Sequence, residues 1–167
     1  DSTKLPLAGG SMAGYITLHA DPQQSMHPAT KQYVDAIAQG LSIKTSVRVA
    51  TTAPLTAVYN NGTFGVNSTL TGSVNGALVI DGVAPAVNDR ILVKEQTVKA
   101  ENGDYTVQQV GDAGTPYILK RIPTIDESSE VPGSYFYVYD GLTLKATGWV
   151  LTVSNPVTFS IGTDDIN

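Results

Sequence analysis

The chain has 167 residues, 16 Gly, 9 Pro, no Cys and a formal charge of −5 at pH 7. The lack of cysteine excludes disulfides, thiolate metal sites and cysteine nucleophiles together. With no basic patch or basic-aromatic stripe against the acidic balance, nucleic-acid binding is disfavoured, and no apolar run approaches the ~20 residues of a membrane-spanning helix.

Residues 1–45 balance three acids (Asp1, Asp21, Asp35) with three bases (Lys4, Lys31, Lys44), so the net charge falls on the rest of the chain. The chain opens at Asp1 without Met, which reads as a processed chain or a piece of a longer one. Residues 5–18, LPLAGGSMAGYITL, are punctuated by Gly9, Gly10 and Gly14 and match neither an ordinary helix nor an ordinary strand. Pro28 then suits a first helical turn and Gly40 a stop, predicting a short helix over about 28–41. Within it Thr30, Val34, Ile37 and Leu41 form a seam of coiled-coil spacing. A helix of about two heptads is marginal alone in water. Two readings follow: an amphipathic helix packed on its own domain, or a short coiled coil between identical chains. The Gly-rich segment before it offers little core, which favours the second. Residues 1–45 are thus expected to be an extended self-association segment, with Gly9 and Gly10 letting backbones approach closely.

Residues 46–167 form the second expected domain. Thr and Val are frequent and charged residues are only 15% of the chain, as in proteins with many short strands. Strands are predicted over 47–52, 70–74, 77–80, 90–94, 105–110, 117–122, 135–139, 149–153 and 157–161. Between them lie Asn61-Gly62, Asn75-Gly76, Asp81-Gly82, Asn102-Gly103 and Asp140-Gly141, dipeptides suited to tight hairpins. Strands without intervening helices predict a mainly β fold, a small antiparallel sandwich or barrel. No fixed-period repeat points to a propeller or solenoid.

Candidate chemistry is sparse. His19 and His27 lie eight residues apart with no carboxylate cluster beyond Asp21, so no metal site is predicted. Asp81, Asp89, Asp126, Glu127 and Asp140 fall at turns or strand ends, where acids cap and solubilise. No G-x-S-x-G elbow supports a serine nucleophile and no phosphate-binding loop occurs. The reading is therefore a non-enzyme without cofactor; glycosidase-like depolymerase chemistry is the weakest alternative. The stretch SYFYVYD, 134–140, stands out. Alternation places Phe136 and Val138 on a core face, and Tyr135, Tyr137 and Tyr139 on the other. That tyrosine face suits a subunit interface, with a ligand-stacking platform for sugar as the alternative.

The leading residues LPLAGGSMAGYITLHADPQQSMHPATKQYVDA resemble a segment that recurs in tail fibre proteins of tailed bacteriophages. The shared pattern is LPLxGGxMxGxIxL, a D-P loop and ATKxYVD, with mild departures at Ala13 and Tyr15. The later domain resembles a β-domain of phage fibre and other virion proteins. That likeness rests on VRVATTAPL (47–55), LVIDGVAPAVNDRILVK (78–94), ENGDYTV (101–107), LKR (119–121) and TGWVLT (147–152). Asn88 stands where Gly is usual, an alteration expected at a turn rather than in the fold. The resemblance implies a homotrimeric, non-enzymatic virion component that joins other tail or baseplate proteins. Its alternative role is a receptor-binding domain for host surface glycan.

Overall fold

The run Arg90-Ile91-Leu92-Val93 organises the domain. In the computed structural model, which describes residues 40–167, Ile91, Leu92 and Val93 are all fully buried. A strand apolar on both sides must be covered on both sides, and this one is. Ile91 and Val93 enter one core with Val49, Leu70, Tyr105, Val107 and Leu119. Leu92 enters the other with Ala50, Phe136, Val138 and Ile161.

Nine strands occur among the described residues. They are β1 (Ser42–Ile43), β2 (Val49–Ala50), β3 (Ala57–Asn60), β4 (Thr69–Gly72), β5 (Arg90–Val93), β6 (Gly103–Gln109), β7 (Ile118–Arg121), β8 (Ser134–Val138) and β9 (Thr147–Val150), with short 3-10 turns at Lys99–Glu101, Pro123–Ile125 and Ser128–Glu130. They make a six-stranded sheet in the order β2-β5-β6-β7-β4-β3 and a three-stranded sheet in the order β1-β8-β9. The mainly β expectation holds. The purely antiparallel one does not, because β1 pairs with β8, and β2 with β5, in parallel. Both exceptions arise in one segment. Val47 donates its amide to the Tyr137 carbonyl, whereas Arg48 and Thr51 donate theirs to Arg90 and Leu92. Residues 42–51 therefore leave one sheet for the other, and the single strand predicted over 47–52 is divided between them.

Other departures are local. The predicted strands at 77–80 and 157–161 are absent as ladders. Ile80 instead bridges Val83 across Asp81-Gly82, with φ of 45° and 75°, the two positive values that a tight hairpin of right-handed twist needs. Phe159 and Ile161 are buried, but Ile161 donates its amide to Ser128 Oγ and Ser160 to Asp164 Oδ2. Asn88, where glycine was the usual residue, has φ of 72°; Asn tolerates that region better than most side chains. Asn102-Gly103 makes no hairpin: the Asn102 side chain is buried, accepting from the Gln96 amide and donating to the Ile166 carbonyl.

The helix predicted over 28–41 falls outside the described residues except at its end. There Gly40 is in a turn and Leu41 is not helical. Leu41 leads directly into β1, so the chain enters the β-unit a few residues before the expected boundary. Thr30, Val34, Ile37, Gly9, Gly10, His19 and His27 also lie outside the described residues.

Candidate functional site

The tyrosine strand is the feature of the β-unit most unlike a plain core element. Phe136 and Val138 are fully buried and Tyr137 and Tyr139 are 42% and 49% exposed, the alternation read from SYFYVYD. β8 runs between β1 and β9, with Ile43 opposite Tyr135 on one side and Val150 opposite Tyr135 on the other. Ile43 is 79% exposed and Val150 38%. The Tyr135 ring lies over Gly148, where a Cβ would meet its hydroxyl oxygen at 2.3 Å; a strand glycine covered by a cross-strand aromatic loses little packing. The outward face of this sheet is consequently a continuous aromatic and aliphatic surface. Its inward face carries Trp149, packed on the core under the Lys94 ammonium, 4.2 Å from the ring centroid, a cation–π contact.

The acids singled out from sequence serve the fold. Asp89 and Asp140 are brought together by one guanidinium: Arg48 Nη1 lies 2.6 Å from Asp89 Oδ2 and Nε 3.3 Å from Asp140 Oδ2. The Gly141 amide, then Arg48, hold Asp140 below the ordinary carboxylate range, which unsuits it as a general acid. Asp81 accepts from the Thr143 and Leu144 amides. Desolvation would raise it, but those amides together leave it lowered. Glu127 and Glu130 form a capping box around a 3-10 turn. Asp126 is raised by partial desolvation and then by Glu130. A cleft of about 350 Å³ is lined by Ser154, Asn155, Phe159, Thr163, Asp164 and Asp165 among others. Asp164 there is already engaged by the Ser160 amide. Among the described residues no group of three or more His, Cys, Asp or Glu is placed to hold a metal ion, and no helix is long and apolar enough to cross a membrane.

Two buried charged groups escaped the sequence reading. Arg121, 1% exposed, donates from Nε to Ser68 Oγ at 2.8 Å, from Nη1 to the Asn102 carbonyl at 2.9 Å and from Nη2 to Tyr105 Oη at 2.9 Å. It joins three stretches of chain through neutral acceptors. Burial pushes the Tyr105 hydroxyl up, despite Arg121. On the opposite face of the sheet Asp104, fully buried, is paired with Arg90, while Asp104 Oδ1 and Arg90 Nε have no hydrogen-bond partner among the described residues. The triplet LKR marked the first position without revealing its role. The stretch ENGDYTV contained the second equally without its role, because Asp104 follows a turn-like Asn-Gly.

Comparison with protein-family models, with curated proteins and with solved structures finds no match for this chain.

Proposed function

We propose that this chain is a structural component of a bacteriophage tail fibre, assembling as a homotrimer and connecting the tail or baseplate to receptor-binding parts. The observation that carries this reading is the leading pattern LPLAGGSMAGYITL followed by ATKQYVD. Its glycines permit close backbone approach, and its apolar seam becomes stable when several copies bury it. The β-unit supports the reading by how it uses its charges: Arg48 ties two loops, and Arg121 ties β7 to the chain around Ser68 and Asn102. Such cross-ties suit a rigid spacer or docking module.

Immunogold labelling of phage particles with antibody against the chain tests the location. Label on the tail or its fibres is expected; label on the capsid alone, or none on the particle, overturns the reading. Light scattering across dilutions tests assembly, with a trimer expected and a persistent monomer removing the seam.

A second reading, a receptor-binding domain for host surface glycan, is favoured by the exposure of Tyr137 and Tyr139. Tyr137→Ala should then abolish adsorption to host cells with assembly intact, and unchanged adsorption removes it.

A further inference from the structure

We propose that the outward face of the three-stranded sheet is where the β-units of separate copies of this chain meet. The inference rests on the homotrimer reading and assigns it a second, folded contact surface. Leu41, Ile43, Tyr135, Tyr137, Tyr139 and Val150 make up the face. All but Tyr135 are left 38–79% exposed; the strand registers place Ile43, Tyr135 and Val150 side by side, and alternation along the chain puts Leu41, Tyr137 and Tyr139 in line with them. A contiguous patch of this kind marks an interaction surface rather than scattered exposure.

Three observations select a second copy as the occupant. The face carries no ionised side chain: Lys44, the nearest in β1's line, alternates to the other side and donates to the Thr124 carbonyl. Copies of one face converge on the axis of a three-fold assembly, and in a chain of net charge −5 an uncharged face meets its copies there without like-charge repulsion. The second observation is where the chain enters. Residues 1–39 join the described unit just before Leu41, which is half exposed and not helical. Ile43 is two residues further, at most ~7 Å of extended chain, so copies gathered by the seam hold their faces at high effective concentration. Third, the surroundings of Tyr135 are wrong for sugar. A glycan platform needs polar groups converging beside the stacking ring, whereas Tyr135 is flanked by Ile43, Gly148 and Val150. Tyrosine combining apolar area with a polar tip suits a protein interface instead.

Light scattering of the full chain over a dilution series, with Ile43→Lys, Tyr137→Lys and Val157→Lys as variants, tests the proposal. Val157 is 90% exposed and lies outside the face, so its variant should match the parent. Ile43→Lys and Tyr137→Lys should each raise the concentration at which the trimer dissociates by roughly tenfold or more, with Trp149 fluorescence showing an intact fold. Should Tyr137→Lys fail to fold, Ile43→Lys, at the edge of the sheet, carries the test. A parent chain that is monomeric throughout overturns the homotrimer reading itself. A trimeric parent with both face variants unchanged overturns only the face. Face variants that stay trimeric but lose adsorption to host cells likewise overturn it, in favour of the glycan platform.

Discussion

Arg121 and Asp104 show how differently two buried charges can be accommodated. Arg121 has acceptors for Nε and both terminal nitrogens, and its neighbour Gly103 makes room for it. A Cβ at Gly103 would meet Arg121 Nη1 at 2.2 Å, at a φ of 146°. Arg121→Lys keeps the charge but loses the fork, stranding buried acceptors. Hydrogen bonds to charged groups contribute about 1.5–3 kcal/mol each, so a loss of about 3 kcal/mol in unfolding free energy is expected. Urea titration followed by tryptophan fluorescence checks it, and Gly103→Ala should destabilise in the same assay by dislodging the same guanidinium. Asp104 is less well served. Burial pushes its carboxyl up to about 7, with Arg90 and then Arg121 pulling the other way. An unfolded Asp titrates near ~3.9. Between these values the folded state holds a proton that the unfolded state has released. The Asp104 contribution is therefore complete below about pH 4 and is lost as pH rises through about 7. Unfolding free energy should fall between about pH 4 and pH 7 and level off above, and Asp104→Asn should flatten that fall. Asp81, Asp112 and Asp140, all held low, act in the opposite sense but titrate below this window.

Among the elements, what could be read from sequence depended on whether apolar alternation coincided with backbone pairing. Ser134–Val138 combines both, and Arg90–Val93 is instead a continuous apolar run buried on both sides; the two were legible almost to the residue. At 157–161 the alternation is real, since Phe159 and Ile161 are buried, but the amides go to side chains rather than to a neighbouring strand. β3 was missed for the opposite reason: Ala57–Asn60 is an edge strand with a half-exposed pattern, and it pairs through register with β4 rather than through a conspicuous apolar face. Turn chemistry was a better guide where positive φ was needed. Asp81-Gly82 is the tight hairpin expected, whereas at Asn102-Gly103 the asparagine is occupied as a buried bridge. Asn88 tests this directly. Its amide donates to the Val107 carbonyl, and Asp89 Oδ2 accepts from Ala86 across the same turn. At φ 72° a β-branched side chain is strained by about 1–2 kcal/mol. Asn88→Val should lower the thermal midpoint, and Asn88→Gly should leave it unchanged or raise it slightly. A midpoint unaffected by valine would mean that the turn is free to rearrange.

At the scale of the molecule, fold class was legible and pairing was not, because the crossing of residues 42–51 between sheets depends on register partners 42 and 92 positions away in the chain. That crossing also decides what an assembly would do to stability. The only tryptophan, Trp149, sits on β9 with its ring packed inward, directly behind Val150 and the outward tyrosine face. Its fluorescence therefore reports on the β-unit alone. If copies were joined only through residues before the β-unit, Trp149 would melt at a temperature independent of chain concentration. If the sheet faces also touch, association stabilises the β-unit itself and mass action ties its midpoint to concentration. The Trp149 melting midpoint of the full chain should accordingly rise over successive tenfold increases in concentration. In Tyr137→Lys the same series should be flat, because an ammonium buried between uncharged faces without a partner opposes their contact. A flat series for both proteins, in a chain that scatters as a trimer, would confine the assembly contacts to the residues before the β-unit.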